Sequence, residues 1–359
     1  MRLEVRSSRA VIPVWACLHT MSNESDRQPV ALEPVAQPSL TAIMLMPRSF
    51  QLLTASLSCL GRQSIKAQIE LVIVHTASQS SIDRAACDGF HSIRLVSIDR
   101  MPTVAAGFVA GVAAASAPVV ALVEDHVFLH PQWAERVVDA HRQGYDAVVP
   151  KMTNGNPATV ASWANFLTCF SEAFAVRADG PVESGPGHNT SYKRAVLRSY
   201  CDELQSLYQS ERNFHYRLRK DGHRLVAAPR AELAHINISV PRKVLAHAFY
   251  GGAVFGQYRS SNMSLVERLL RTIGAPLVPP LRCWRIARTL GLRQLLNPEG
   301  PRSALLVAPV LLIAHATGEV AGYWRLVRHV EAHYEHYELH RVECVRQEER
   351  SLLTERRSA

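Results

Sequence analysis

Several short motifs that mark common nucleotide-binding and metal-binding domains are missing from this sequence of 359 residues. No G-x-G-x-x-G follows the first strand-like run and no G-x-x-x-x-G-K-[ST] occurs, so a dinucleotide-binding Rossmann site and a P-loop are both disfavoured. The seven cysteines are an odd number without C-x-x-C spacing, which argues against a disulfide scaffold and a structural zinc site. These absences favour a protein of a reducing cytoplasm.

Long apolar runs are also scarce, since a membrane-spanning helix needs about 20 apolar residues. The longest run, 304–314, is shorter than this and contains Pro309. An apolar stretch at 10–18 follows three arginines, as in a signal peptide, but no small-residue cleavage pattern follows it. We therefore expect residues 1–39 to form a flexible, proline-rich leader, with Met21 as an alternative initiator.

The composition supports a large folded core. Hydrophobic residues make up 47% of the chain and charged residues 20%, which excludes a protein that is disordered as a whole. Forty Lys and Arg against 31 Asp and Glu give a formal charge of +9, so phosphates, nucleotides or acidic lipid surfaces are suitable partners. Charge alone does not choose among them, and we expect no nucleic-acid partner.

From residue 40 the apolar pattern alternates between β-rich runs and helical periods, which is typical of a parallel sheet covered by helices. The predicted strands are Leu40–Met46, Glu70–Thr76, Ser92–Ile98, Val119–Glu124, Asp146–Lys151 and Arg224–Ala228. The predicted helices between the first four strands are Ser49–Leu60, Ser81–Cys87 and the alanine-rich Thr103–Ala115. The expected fold class is therefore α/β.

An acidic turn ends the fourth of these strands and consists of Glu124, Asp125 and His126. Ligands of such sheets bind at the carboxyl ends of the strands. Two carboxylates and an imidazole at that place predict a site for a divalent metal, which in turn can hold a diphosphate. The alternative is an ordinary turn before a helix that starts at Pro131.

The order of several weak motifs resembles one known family. These motifs are 58–63 (Ser-Cys-Leu-Gly-Arg-Gln), the alanine-rich stretch 104–118, the acidic turn, the Gly187-His-Asn189 turn, Glu211 ahead of Arg217-Leu218, and 229–235 (Pro-Arg-Ala-Glu-Leu-Ala-His). Over about residues 40–259 the chain resembles the family 2 glycosyltransferases of the GT-A fold. The resemblance implies a mostly parallel sheet flanked by helices in residues 40–258. From the pattern of arginines and apolar residues we expect 259–359 to form a basic amphipathic helical region.

The resemblance also implies a donor site. It assigns Mg²⁺ or Mn²⁺ to Asp125, His126 and His235, and binding of the nucleotide sugar to Glu124, Asp125 and Asn189. The chain departs from the family pattern in two places. The family's Asp-x-Asp reads Glu124-Asp125-His126, and after the second strand an aspartate that contacts the nucleotide base is replaced by 75–78 (His-Thr-Ala-Ser).

Glu211 is the catalytic base that the resemblance implies, because it lies six and seven residues before Arg217 and Leu218. Each implied residue also has a plainer explanation. A carboxylate such as Glu211 in the first turn of a helix is favoured by the helix dipole. The turn around Asn189 has the composition of an ordinary loop, and His235 fits a hydrogen-bonded core position equally well.

The region 259–324 interleaves arginines with leucines and Trp284. Eight arginines against two glutamates in 259–302 give a local charge of +6. This pattern predicts peripheral contact with an anionic membrane, and a helical subdomain with a solvated basic face is an equal alternative. Four histidines, at 329, 333, 336 and 340, share one helical face, and the glutamates between them favour a solvated or oligomeric helix over a metal site.

The expected function is inverting transfer of a sugar from a nucleoside diphosphate sugar to a hydroxyl of a glycan or lipid-linked acceptor. We expect it in cell-envelope or exopolysaccharide synthesis, in the cytoplasm or on the inner face of the cell membrane. A nucleotidyltransferase is disfavoured because 46–49 (Met-Pro-Arg-Ser) is poor in glycine. An inactive homologue that binds nucleotide sugar or scaffolds a pathway is the second hypothesis.

Overall fold

One large sheet organises the fold, and its strands follow runs of β-branched and other apolar residues. The computed structural model describes residues 37–76, 82–261, 263–295 and 302–355. The strands in these residues are β1 (Leu40–Met46), β2 (Ile69–Thr76), β3 (Ser92–Ile98), β4 (Val119–Leu122), β5 (Val127–Leu129), β6 (Ala147–Asn154), β7 (Gly180–Pro181), β8 (Ser191–Lys193) and β9 (Leu225–His235). The mixed α/β class predicted from the sequence is confirmed.

Within the described ranges these strands pair in the order β3-β2-β1-β4-β8-β6-β9-β5, and β7 adds to β9. The part formed by β3, β2, β1 and β4 is parallel. Strand β8 is antiparallel to its neighbours β4 and β6, whereas β6 and β9 are parallel. The carboxyl ends of β1, β2 and β4 therefore meet at one edge, which is where such sheets bind ligands.

Helices cover the sheet and continue beyond it. They are α1 (Thr54–Leu60), α2 (Val104–Ala114), α3 (Trp133–Arg142), α4 (Val160–Ala175), α5 (Arg194–Ser199), α6 (Leu204–Tyr208), α7 (Glu211–Lys220), α8 (Pro241–Ser260), α9 (Leu265–Gly274), α10 (Val278–Leu295), α11 (Ala304–Tyr323), α12 (Val330–Leu339) and α13 (Ser351–Thr354). Threonine side chains cap α2 and α4, since Thr103 accepts from the N–H of Ala106 and Thr159 from that of Ser162.

Strand β1 shows why both faces of the sheet carry helices. Its residue Met44 belongs to one core cluster, while Ile43 and Leu45 belong to the cluster on the other face, together with residues of α2. Helix α2 approaches β1 closely, because a Cβ atom on Gly111 would lie 2.5 Å from Cγ2 of Ile43. The alanine-rich stretch thus packs tightly on the sheet, as its small residues predict.

A bulge in β9 positions a histidine. The register of β9 against β6 shifts between Ala228 and Glu232. Beyond the bulge, His235 pairs with Val127, the first residue of β5. His235 was predicted to follow a strand and is instead the last residue of one, because the bulge lets β9 continue toward β5.

Helices α8 and α11 pack through four glycines spaced four apart, Gly252 and Gly256 on α8 and Gly318 and Gly322 on α11. A Cβ atom on Gly318 would lie 1.9 Å from the carbonyl oxygen of Phe249. The two backbones are therefore in direct contact, which only glycine allows.

Three predicted segments differ in the structure. Where the sequence predicts a helix at Ser81–Cys87, the described residues 82–87 contain a short 3₁₀ turn at Ala85–Cys87. The Asp83 carboxylate accepts the N–H of Ala85 in place of a helical bond. Residues 77–81 lie outside the described residues. Strand β4 ends at Leu122, so Glu124 lies in the turn. The run 304–314 continues as helix α11, and by length and composition alone this helix could cross a membrane.

The predicted domain boundaries are only partly covered. The leader, 1–39, lies outside the described residues except for 37–39. From residue 37 onward the chain forms one compact unit. The predicted boundary at 258 falls inside α8. This helix begins at Pro241, shortly after strand β9 of the sheet ends at His235.

Candidate active site

The acidic turn between β4 and β5 contains a buried carboxylate, that of Glu124, which is 9% exposed. Nδ1 of His188 lies 2.9 Å from Oε1 of Glu124, and the side-chain amide of Asn189 donates to Oε2. The backbone N–H of Glu124 donates to Oδ1 of Asn189 over 3.4 Å. The glycine-rich loop before β8 thus fixes the carboxylate at the carboxyl end of β4.

Two buried histidines face this carboxylate from different strands. Nε2 of His126 lies 3.6 Å from Oε1 of Glu124, and Nε2 of His235 lies 3.6 Å from Oε2. The two imidazole rings pack edge to face with centroids 4.8 Å apart. The N–H of Ile236 donates to the carbonyl of His126 over 2.9 Å, so the pairing of β9 with β5 aligns both histidines.

Burial and neighbouring charges set the protonation states of this cluster. Burial by itself raises the pKa of Glu124, but His126 and the hydrogen bond from His188 outweigh it and hold that pKa well below its usual value. Burial, with a smaller contribution from His126, lowers the pKa of His235 to about 3. At neutral pH Glu124 is therefore ionised and His235 is neutral, as ligands of a metal must be.

Glu124, His126 and His235 have the geometry of a metal site. One ligand atom from each lies within 4.8 Å of the others. Nε2 of His126 is buried and makes no hydrogen bond to the described part of the chain, and coordination would satisfy it. A carboxylate with two imidazoles suits a divalent transition metal better than Mg²⁺, which prefers oxygen ligands. The residues present thus fit a bound divalent metal.

Two of the predicted donor-binding residues have other contacts. Oδ1 of Asp125 lies 2.6 Å from Nδ1 of His126, and Asp125 is outside the groups with metal-binding geometry in the described ranges. This bond orients the ring so that Nε2 faces Glu124. Asn189 adopts a left-handed φ of 65° and uses its side-chain amide to hold Glu124. The structure therefore places Glu124 at the centre of the cluster, where the sequence predicts Asp125.

A small cavity of about 20 Å³ opens beside this cluster. Its lining residues are Leu45, Pro47, Val104, Leu122, Glu124, Asp125, His126, Glu338 and Leu339. Most of them lie at the carboxyl ends of β1 and β4 or at the start of α2. The last two belong to α12, so the C-terminal part of the chain forms one wall.

Helix α12 and the residues after it are tied to this edge of the sheet. The Glu335 carboxylate accepts the N–H of Val104 at the start of α2 over 2.8 Å. After the helix, Glu343 forms an ion pair with Arg48, which follows β1, at 2.5 Å. These contacts hold α12 over the carboxyl ends of the strands.

Glu338 brings a second carboxylate into the site. Its side chain is 8% exposed, and its oxygens lie 3.0 Å from Nε2 of His247 and 2.9 Å from the guanidinium of Arg341. Together with Glu124 and His188 it forms a second group with metal-binding geometry. One sequence signal points to this residue, its place among the histidines of 329–340, although that pattern predicts a solvated or oligomeric helix.

Residues 44–201, from β1 to just beyond α5, match the family model for glycosyl transferase family 2. This segment is a family 2 glycosyltransferase domain. The match includes the acidic turn and Asn189, and the mostly parallel sheet agrees with the GT-A fold of the family. No curated protein matches the chain.

Two groups in the site of this glycosyltransferase lie outside the matched segment. His235 comes from the end of β9 and Glu338 from α12. Both approach Glu124 through tertiary contacts that the matched segment does not contain. The acidic turn of the glycosyltransferase domain is therefore completed by the C-terminal part of the chain.

Glu211 is the first residue of α7, after Ser210 at the N-cap position. Its side chain lies outside the described part of the chain. The next turn of α7 contacts the loop that holds Glu124, because His215 lies 2.8 Å from the hydroxyl of Tyr192 and 3.2 Å from the backbone nitrogen of Gly185. The start of α7 is thus anchored to this loop, and the role of Glu211 remains a prediction.

The remaining predicted features have structural contacts of their own. His75 lies at the end of β2, beside Met46 of β1, and its Nδ1 lies 3.1 Å from the carbonyl of Thr76. On α12, His333 stacks on Tyr250 with centroids 4.7 Å apart. Among the described residues, the groups with metal-binding geometry include none of the four histidines at 329–340.

Proposed function

We propose that this glycosyltransferase moves a hexosyl group, with inversion, from a nucleoside diphosphate sugar to a hydroxyl of a glycan or lipid-linked acceptor. The observation that carries the proposal is the cluster of Glu124, His126 and His235 at the ligand-binding edge of a family 2 glycosyltransferase domain. Arrangements of this kind serve substrates whose leaving group is a diphosphate.

The donor side is formed by residues with fixed charges. Ionised Glu124, the imidazole of His126 and neutral His235 would hold a divalent ion, for which Mn²⁺ is our choice on the basis of the two imidazoles. When bound, such an ion neutralises the charge that develops on the leaving diphosphate. Asp125 keeps the His126 ring in position through its 2.6 Å contact. We propose that the phosphates bind on the side of this cluster where Leu45 and Pro47 line the small cavity.

The acceptor side depends on a base, since a sugar hydroxyl is a poor nucleophile until its proton is removed. A positioned carboxylate contributes typically about 10²–10⁴-fold to such a step. Glu211 is the residue we propose for it, because its helix is anchored by His215 to the loop that also holds Glu124. The Glu211 carboxylate would take the proton as the hydroxyl attacks the anomeric carbon and the diphosphate leaves.

The acceptor and the pathway follow from the kind of transfer that such domains perform. We propose a step in cell-envelope or exopolysaccharide assembly, on the cytoplasmic side of the membrane. A glycan or lipid-linked glycan is the acceptor class, and the apolar surface of the C-terminal helices favours one that is held at a membrane.

Calorimetry with a panel of UDP-, GDP- and dTDP-sugars, each with Mn²⁺ or with EDTA, tests the proposal. We expect one nucleotide class to bind in Mn²⁺ and to lose affinity in EDTA. The bound donor is then offered to glycan acceptors, and the anomeric configuration of the product is determined by NMR. Binding without transfer to any acceptor would favour the inactive homologue, and a product with retained configuration would contradict inversion.

A further inference from the structure

Helix α9 has its apolar side turned away from the protein. Its residues Leu265, Val266, Leu270 and Ile273 are 61 to 74% exposed, and none of its residues is buried. A helix on the surface of a soluble protein shows the opposite arrangement, with the apolar side against the core. The outward apolar side of α9 therefore requires a partner outside the protein.

The polar side of α9 is the one that contacts the rest of the chain. The guanidinium of Arg268 donates to the carbonyl of Ser260 over 2.9 Å. The hydroxyl of Thr272 accepts from the indole N–H of Trp324 over 3.0 Å. These bonds fix the rotation of α9 about its axis, so its apolar side is held outward.

The adjoining helices extend this surface. On α10 and just before it, Leu277, Leu281 and Trp284 are 71, 45 and 55% exposed, and on α11 Leu306, Val310 and Ile313 are 81, 53 and 55% exposed. Each set has the spacing i, i+4, i+7, which places its members on one side of a helix. Helix α10 packs against α11, so these exposed side chains belong to neighbouring helices.

The charges around this surface are positive. Six arginines of the described residues in 265–328 are exposed, namely Arg271, Arg285, Arg288, Arg302, Arg325 and Arg328, against one exposed glutamate, Glu267. The guanidinium of Arg288 lies 5.3 Å from the ring centre of Trp284. Arginine together with tryptophan beside apolar side chains is typical of helices that lie at the interface of an anionic bilayer.

Helix α11 is covered on its other side by protein. A little under half of it is buried, its glycines touch the backbone of α8, and its Glu319 is paired with Arg259 at 3.1 Å. Only one side of α11 is thus available to lipid. A single helix that anchors a protein by spanning the membrane needs an apolar surface on all sides.

We propose that α9, α10 and α11 form a platform that lies in the surface of an anionic phospholipid bilayer and does not span it. The apolar side chains of α9 and Trp284 enter the acyl boundary, and the arginines contact the headgroups. The platform consists only of C-terminal helices, so its binding to a membrane does not depend on sugar transfer.

Flotation of the full chain with vesicles tests it. We expect the protein to float with vesicles of phosphatidylcholine and phosphatidylglycerol. The amount of floated protein should be at least roughly tenfold lower with phosphatidylcholine alone or at high salt. Leu270→Glu with Ile273→Glu should reduce binding by a similar factor. The matched control is Ile93→Glu with Leu95→Glu on the edge strand β3, where both residues are 40% exposed and binding should be unchanged.

Because all four positions are at least 40% exposed, thermal melting should show that both double variants fold. Quenching of tryptophan fluorescence by brominated lipids should be largely lost in Trp284→Phe, and unchanged quenching would contradict the contact of α10. Absence of flotation, or equal loss in the control, would overturn the platform. The protein could instead form a dimer in solution and fail to float. If Leu270→Glu with Ile273→Glu dissociates that dimer, the partner is a second copy of the chain, and the membrane platform is overturned too.

Discussion

Oε2 of Glu124 and Nε2 of His235 lie 3.6 Å apart, although they belong to different strand ends and only the first lies in the family 2 segment. The bulge in β9 produces this proximity, because it carries His235 to a place opposite Val127. With His126 on the same side, the pair defines the candidate metal site and leads to the first prediction.

Glu124→Gln should abolish binding of Mn²⁺, because it removes the ionised carboxylate that faces both histidines. Asp125→Asn should leave a site with about 10–100-fold lower affinity, since Asp125 acts through the orientation of His126. The signal of free Mn²⁺ in electron paramagnetic resonance measures both. The control is Asp139→Asn, at the surface and paired with Arg142. A greater loss of Mn²⁺ affinity in Asp125→Asn than in Glu124→Gln would show that Asp125, and not Glu124, is the central ligand.

Glu211→Gln keeps the shape of the side chain and removes its basicity. We expect nearly unchanged affinity for the nucleotide sugar and transfer that is slower by about 10²–10⁴-fold. The matched control is Glu203→Gln, an exposed carboxylate paired with Arg217 of α7. If Glu211 only stabilises the start of its helix, the change costs about 0.3–1 kcal/mol of stability and turnover persists.

His141 should make stability dependent on pH. Burial lowers its pKa to about 4, and its ring nitrogens lie 3.0 Å from the carbonyl of Tyr145 and 2.9 Å from the hydroxyl of Ser191. Because the unfolded chain takes up this proton first, the free energy of unfolding should fall as pH drops from about 6.5 toward 4, by about 2 kcal/mol near pH 5.

Urea unfolding of the wild type and of His141→Gln between pH 7 and 5 checks this prediction. The other buried histidines contribute equally to both proteins, so the difference in stability between the two should shrink as pH falls. A constant difference over this range would mean that His141 does not titrate on unfolding.

Gly318→Ala should destabilise the fold by about 1–3 kcal/mol, because the added methyl group meets the backbone of α8. Gly274→Ala is the matched control, since a Cβ atom there has no neighbour within 4 Å and the backbone is helical. It should be neutral or stabilising by about 0.4–1 kcal/mol. Melting curves measure both, and equal effects would argue against direct backbone contact of α8 and α11.

Glu338→Gln should cost about 3–5 kcal/mol, because it leaves the buried guanidinium of Arg341 without an ionised partner. Glu343→Gln, which removes the half-exposed pair with Arg48, should cost about 0–1 kcal/mol. Chemical unfolding compares the two. Similar small losses would show that α12 is not held by its buried ion pair.

Local patterns determined much of the fold. Strands β1 and β3 begin and end at the predicted residues, and α2 differs from the prediction by one residue at each end. These segments have apolar spacing that only one type of secondary structure can bury, and α2 has a threonine cap as well. The helix predicted after β2 was wrong, because the carboxylate of Asp83 accepts a hydrogen bond from the local backbone N–H of Ala85.

The sequence by itself determined the α/β class, the family resemblance and the acidic turn, because each depends on residues that are close in the chain. Only the tertiary structure decided that Glu124 faces His126 and His235, that Asp125 orients an imidazole, and that Glu338 lines the cavity. Those relationships depend on a bulge in β9 and on the packing of α12, and neither leaves a periodic signal in the sequence. The tertiary structure also decided the direction of the apolar side of α9. Periodicity in the sequence predicts that a helix has an apolar side, but only packing decides where that side points.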